Sequence, residues 1–459
     1  MDVKDAHVIV IGAALVTGIT GLLTCQALKK AGIKYTVFEK EQSLNCRSNE
    51  WTMAIHWALP LLKEILPEEV FAKMNEIACN PTLGIHSGLY PIIKAETGDL
   101  IMGVPYQNGL RVPRSKMRLV ASTGIEVQYG KLLTDIAFNE TGNGVIATFS
   151  DGSLVPATMI IGADGPKSKV REFAMGSAEK AAVTKFPIFH TNMTVCYGDA
   201  EKALFVRKQY PTSYLALSEQ SFHSFQSISG MPDGPDHPES WVFHMAMAWL
   251  GEVDNSVGYK ERLAMIKERA SGLGEPAHSA FMWLPEDTEV HKADISYWIS
   301  QVWDNRKGRL TLVGDAAHPM PPYRGQGLNH CINDVWHLSN GLRKALGCDK
   351  ESTAERLTLA EAVANYEGEM IPRGAEEVRC SVENGYMLHD WKKIQESPVF
   401  KRGFKPMDGH GSAAADAGPV AGSSSTGAQS EVEVSEHAHV QLQRDLELAP
   451  ASEVVSASA

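Results

Sequence analysis

The chain has 459 residues, 44% hydrophobic and 21% charged, which is enough for two or three globular domains and excludes a disordered, fibrous or multi-span membrane protein. Its 43 Lys+Arg against 55 Asp+Glu leave a formal charge of −12, so no global pull toward nucleic acid or anionic lipid is expected and the partners are not polyanions. The charge is uneven: residues 406–459 hold eight acids against Arg444, in Gly/Ala/Ser-rich sequence without aromatic residues, the composition of a disordered acidic tail. The seven cysteines are scattered with no C-x-x-C pair, a pattern of reduced thiols in a cytoplasmic protein and not of a disulfide framework or zinc site. No metal is expected, and oligomeric state is left open.

In chain order, His7–Gly12 is a β-branched run ending at glycine, the signature of a buried parallel strand. Gly21–Lys30 has helical apolar spacing with lysines in its last turn and Gly32 as a stop. Lys34–Glu39 is a second β-rich run ending on an acid, so the first 39 residues form a strand–helix–strand unit. The 21 uncharged residues Val8–Leu28 are nominally long enough to cross a bilayer. Three glycines, three threonines and Gln26 within the run, and the acids before it, favour a buried strand, turn and helix over a membrane segment. Leu154–Gly162 and Leu310–Gly314 are again apolar strands ending at glycine. Between them, residues 180–300, with alternating segments and five tryptophans from Trp241 to Trp303, read as an antiparallel sheet with one covered face. A long helical pattern from Leu359 to about Lys393 continues past Pro372 and closes the folded part.

Three segments carry chemistry. Dinucleotide binding needs G-x-G-x-x-G between strand and helix, for the turn, the approach to pyrophosphate and helix packing. Here the stretch from Gly12 to Gly18 and Gly21 is four residues too long, and deleting Ala14–Thr17 restores Gly-Ala-Gly-Ile-Thr-Gly. Glu39 follows Gly21 by 18 residues, close to the interval at which an acid meets ribose hydroxyls. The second segment is Asp164–Gly165 at a strand end, followed by Ser168 and basic residues at a helix start. The third runs Gly314-Asp315-Ala316-Ala317-His318-Pro319, then Arg324-Gly325-Gln326-Gly327-Leu328-Asn329. Its acid can meet a ribityl hydroxyl, and its glycine loop offers N–H groups to an anionic ring edge at the next helix start.

In this order the segments resemble the single-component FAD monooxygenases of the aromatic-hydroxylase type, over roughly residues 7–400, with an overall feel of the fungal secondary-metabolism members. The resemblance implies an α/β fold with an α+β insert: a Rossmann-like FAD-binding domain (1–180, with an excursion near 80–105, and 301–345), a mixed or antiparallel substrate-sheet domain (181–300) and C-terminal helices (346–405). It implies that Gly12, Gly18, Gly21 and Glu39 hold the ADP half of FAD, that Asp164 serves FAD and NAD(P)H, and that Asp315, Gly325, Gly327 and Leu328 serve the flavin half. Arg118, in Leu110–Arg118, matches the family's cofactor-reaching arginine, and Thr52 a small residue on FAD. The activity implied is hydroxylation or epoxidation of a small organic substrate, aromatic or polyketide/terpenoid-like, by FAD, NAD(P)H and O2, in secondary metabolism. No catalytic acid or base is assigned. His318 and His56 read as structural, and the tryptophans as core packing. The alternatives are other chemistry on the same fold, a halogenase or reductase, or a flavin-poor, membrane-associated relative.

Overall fold

The computed structural model describes residues 3–13, 18–44, 49–139, 144–251, 256–348 and 356–405. The acidic tail and the stretch Ala14–Thr17 therefore lie outside the described residues. His7–Ile11, with four of its five residues buried, lies at the centre of a five-stranded parallel sheet. Met159–Gly162 and then Leu310–Leu312 flank it on one side, and Lys34–Phe38 and then Val127–Gln128 on the other. Helix Gly18–Lys30 covers this sheet, buried from Gly18 to Leu28, which accounts for the long uncharged run without a membrane. Among the described residues no helix is long and apolar enough to cross a bilayer. None of the six described cysteines is in a disulfide, and no group of metal-ligating side chains is found among the described residues.

The Leu154–Gly162 run does not form one strand. Leu154–Ala157 pairs antiparallel with Val145–Phe149 in a small three-stranded sheet, and Met159–Gly162 joins the parallel sheet. The break falls at Thr158, whose N–H donates to His7 O and whose hydroxyl accepts from His7 N.

An eight-stranded sheet runs His291–Ala293, Ile188–Cys196, Val242–Leu250, Phe222–Gly230, Ser213–Leu217, His86–Lys94, Leu100–Pro113 and Thr52–Ile55. Its pairs are antiparallel except that of Ser213–Leu217 with His86–Lys94. The expectation of one covered face is corrected here: the central strands are buried on both sides, as in Val242–Leu250, where seven consecutive residues are buried. One face packs through Phe189, Met245 and Met247 against helices that include Tyr259–Ala270 and Ala277–Met282. Leu388, Ile394 and Val399, from the chain's end, pack on strand residues Ile92, Val104, Leu215 and Leu217. The 29-residue helix Leu359–Met387 leads into that end and is opened by a capping box between Thr358 and Glu361.

Candidate functional site

Gly12 ends the central strand with φ +106°, and a Cβ there would lie 2.4 Å from Ala163 O. A Cβ on Gly21 would lie 1.8 Å from Gly12 O, and one on Gly18 would lie 2.3 Å from Ala13 C. Only glycine lets the helix close on the strand at these points. Glu39, 2% exposed at the end of Lys34–Phe38, accepts from Ala13 N at 2.7 Å and from Glu41 N at 3.0 Å. A cavity of about 430 Å³ opens here and is lined by Gly12, Gly18, Glu39 and Asp164, with ammonium groups from Lys40 and Lys167. Asp164 accepts from Ser168 Oγ and from Lys169 N at 2.7 Å, and burial raises its carboxyl above the usual range.

Four of the sequence-derived residues thus share one cavity, with Gly21 packed directly behind it. Asp315, Gly327 and Leu328 do not line this cavity; Asp315 lies on the turn Gly314–Ala316 after Leu310–Leu312, and Gly327 and Leu328 open helix Gly327–Leu346. Gly314, at φ +61°, is packed on helix Gly18–Lys30, since its Cβ would lie 2.6 Å from Thr20 Oγ1. Burial pushes the half-buried Asp315 carboxyl up to about 6, against the pull of His318 and Arg171. Helix Gly327–Leu346 follows with no side chain capping its N-terminus, and Cβ atoms on Gly325 or Gly327 would meet nothing within 4 Å. The open N–H groups and bare backbone suit a planar, anionic ring edge. Arg118 is buried on helix Arg114–Ala121, and Thr52 is on the edge strand of the large sheet; neither lines the cavity.

The glycine loop is fastened to that edge strand by residues that sequence reasoning passed over. Asn329 Oδ1 accepts from His56 N at 3.0 Å, and its Nδ2 donates to Ala54 O at 3.0 Å and to Gly325 O at 3.2 Å. Trp57 Nε1 donates to Gln326 Oε1 at 2.9 Å, and the His56 ring stacks on Phe404 with centroids 5.1 Å apart.

Beneath the loop lies a buried ion network. Asp334 accepts from Gly314 N at 2.8 Å, pairs with His318 Nε2 at 2.6 Å and accepts from Arg373 at 2.7 Å. Burial alone would raise the Asp334 carboxyl, but His318 and Arg373 hold it well below the usual carboxylate range. Arg373 also pairs with Glu369, and Glu377 pairs with Arg324, the residue before Gly325. His318 is thus a buried member of this network. His56, stacked and hydrogen-bonded, also serves to hold the loop.

Beside the loop, where it meets the large sheet, stand buried imidazoles from widely separated segments. His389 Nδ1 lies 2.6 Å from Gly385 O, which can only accept, so Nδ1 carries the proton. His389 Nε2 then accepts from His223 Nδ1 at 2.9 Å, leaving His223 Nε2 with a lone pair. Tyr323, two residues before Gly325, approaches His190 Nδ1 at 3.3 Å and packs edge-on to His223. His244 Nδ1 accepts from Thr52 N at 3.2 Å, and its Nε2 faces Asn192 Oδ1 at 3.1 Å. Burial lowers all of these rings, to about 4 for His190 and His389 and about 3 for His244, so they are neutral at pH 7. No motif could have announced them, because histidines at 190, 223, 244 and 389 share no local pattern.

The family model "FAD binding domain" matches residues 5–363. The FAD-dependent monooxygenase phnB of Penicillium herquei is 73% identical over 410 residues, spanning 89% of this chain and 98% of that protein. The FAD-dependent monooxygenase cctM of Talaromyces islandicus is 32% identical over 399 residues, spanning 87% and 97%. Among solved structures, Klebsiella pneumoniae HpxO complexed with FAD and uric acid has a TM-score of 0.66 at 17% identity, covering 86% of this chain and 94% of that one. CtdE in complex with FAD and a substrate has a TM-score of 0.67 at 17% identity, covering 86% and 93%. These two likenesses speak for the fold. The family match over most of the chain and the 73% identical relative make this protein a member of the FAD-binding-domain family: an FAD-dependent monooxygenase of the aromatic-hydroxylase type, with NAD(P)H as donor, that hydroxylates or epoxidises a small substrate.

Proposed function

We propose that FAD runs from the glycine-turn cavity to the Gly325–Leu328 loop, and that an aromatic or polyketide-like substrate is oxygenated where that loop meets the eight-stranded sheet. The observation carrying this reading is the loop itself: bare backbone at an uncapped helix N-terminus, tied by Asn329 to the edge strand of the sheet. In this reading Gly12, Gly18 and Gly21 let the pyrophosphate approach the backbone, Glu39 meets the adenosine ribose, and Asp315 meets the ribityl chain. Arg118, Thr52 and Asp164 are assigned to the cofactor on family resemblance. Bound flavin supplies the electrons from NAD(P)H and the activation of O2.

The chain's own residues position, dry and hold protons. Tyr323, Phe225 and Phe404 offer aromatic faces around the junction. The lone pair on His223 Nε2, set by the Gly385 carbonyl through His389, is an acceptor for a substrate hydroxyl proton.

The test is turnover under heavy-isotope O2 with NADH or NADPH and a panel of hydroxylated naphthalenes. The expected product carries one labelled oxygen atom per NAD(P)H consumed. Halide incorporation, or saturation of the substrate without label, would favour the rival chemistries on the same fold.

A further inference from the structure

Four of the buried or half-buried guanidinium groups near the site are neutralised or saturated, and Arg111 stands apart from them. Arg373 pairs with Asp334 and Glu369, Arg324 with Glu377, and Arg114 with Glu50. Arg171 donates to three carbonyls, those of Ala181, Ala316 and Pro166. Arg111 does neither. It sits on strand Leu100–Pro113 opposite Ala54, the residue whose carbonyl Asn329 ties to the glycine loop. Its Nη1 donates to Thr52 Oγ1 at 3.1 Å, and its Cζ lies 5.2 Å from the Phe225 ring centroid. Among the described residues no carboxylate pairs with it.

Four of the titratable groups that Arg111 acts on, His56, His244, Tyr90 and Cys79, are neutral at pH 7. On the turn after the edge strand, His56 is held at about 3 by burial and by Arg111 itself, and His244 on the large sheet likewise. Burial pushes the Tyr90 hydroxyl up, and the Cys79 thiol up to about 12. Glu50 and Lys116 lie further along the same side, and Glu50 is engaged by Arg114 and Ser115 N. A half-buried cation surrounded by neutral imidazoles and a ring face is costly unless something anionic completes it.

We propose that Arg111 is the anchor for an anionic oxygen of the substrate, a phenolate, enolate or carboxylate on a planar ring system. The planar guanidinium fork matches such an oxygen with charge-assisted hydrogen bonds. A phenolate held there has a more electron-rich ring than the phenol, which suits electrophilic oxygen transfer. This inference rests on the reading above of the junction as the oxygenation site.

The test uses the FAD-loaded enzyme and three probes: 4-nitrophenol, 4-nitrobenzoate and the neutral 4-nitroanisole, followed by difference absorbance, with flavin content and melting temperature measured alongside. Wild type is expected to bind at least one anion more tightly than the anisole. R111Q should weaken that anion by ~10- to 100-fold, the range for a charge-assisted hydrogen bond, with the anisole unchanged. R111K should fall between, and it carries the test if R111Q loses flavin. Preference for nitrophenol or nitrobenzoate distinguishes a phenolate from a carboxylate anchor. Equal anion affinity in wild type and both flavin-loaded variants, or no anion binding to wild type, overturns the proposal. Flavin-loaded wild type that incorporates no labelled oxygen with any substrate would instead fail the reading it rests on.

Discussion

Two buried polar clusters flank the glycine loop, and they are built on opposite principles. Beneath it, Asp334, Arg373, Glu369, Glu377 and Arg324 are charges matched by charges. Beside it, His190, His223, His244 and His389 are neutral imidazoles, and the one cation described with them, Arg111, acts on His244 and donates to Thr52. A matched network closes on itself and can only hold its parts in place. An unmatched one leaves a proton acceptor and a positive charge for a ligand to use. In the reading proposed above, this difference separates scaffold from reacting site.

The widest effect that could break this comparison is pH. His56 and His244 are held at about 3, His190 and His389 at about 4, and His223 well below the imidazole range, all first by burial. The unfolded chain protonates these rings as pH falls through ~6.5, while the folded chain does not. Their contribution is thus complete above that pH and lost as pH falls toward about 4. Asp315, at about 6, and Glu367, at about 7, work the other way, because the folded chain protonates them first. The lowered rings outnumber the raised carboxyls, so stability falls as pH drops below ~6.5. Asp334 adds a loss only below the usual carboxylate range, so urea midpoints between pH 6.5 and 4.5 read the imidazoles against the raised carboxyls without it. A flat profile there would mean that the rings are charged or exposed.

Next in size, Arg373→Met strands the Asp334 and Glu369 carboxylates and should cost about 3–5 kcal/mol in urea unfolding. A loss under ~1 kcal/mol would remove the contrast between the clusters. Glu39→Gln keeps the shape but gives up the charged acceptor for Ala13 N. FAD affinity, read by flavin fluorescence on apoprotein, should fall by about 1.5–3 kcal/mol, with no change in the imidazole pH profile. Smallest, Ser381→Ala removes one hydrogen bond to Glu377, at 3.2 Å, and should cost only ~0.5–1.5 kcal/mol.

What was legible in the sequence is what local rules write. The strand, the glycine turn, the helix and Glu39 lie within 39 residues, and each signals through its own spacing. The parallel sheet follows from apolar runs that end at glycine. The Leu154–Gly162 run misleads because nothing in its composition marks the change of partner at Thr158. The two-sided burial of Val242–Leu250 is hidden as well, since the residues that cluster with Ala248 on its second face, Phe186 and Ile188, are distant in sequence. The same holds for the junction. Arg111 lies seven residues before Arg118 in a stretch that resemblance singles out for Arg118, and only the fold reveals that no carboxylate among the described residues pairs with Arg111. The pairing of His223 with His389 spans 166 positions and leaves no trace in either neighbourhood.

The most direct measurement is the visible spectrum of the purified protein beside Gly12→Ala, whose Cβ would strike Ala163 O at 2.4 Å. The account predicts flavin bands near one FAD per chain in the wild type, and loss of flavin in a variant that retains its far-UV circular dichroism. A folded wild type without flavin, or a variant that keeps full flavin, would contradict the placement of the cofactor on the glycine turn.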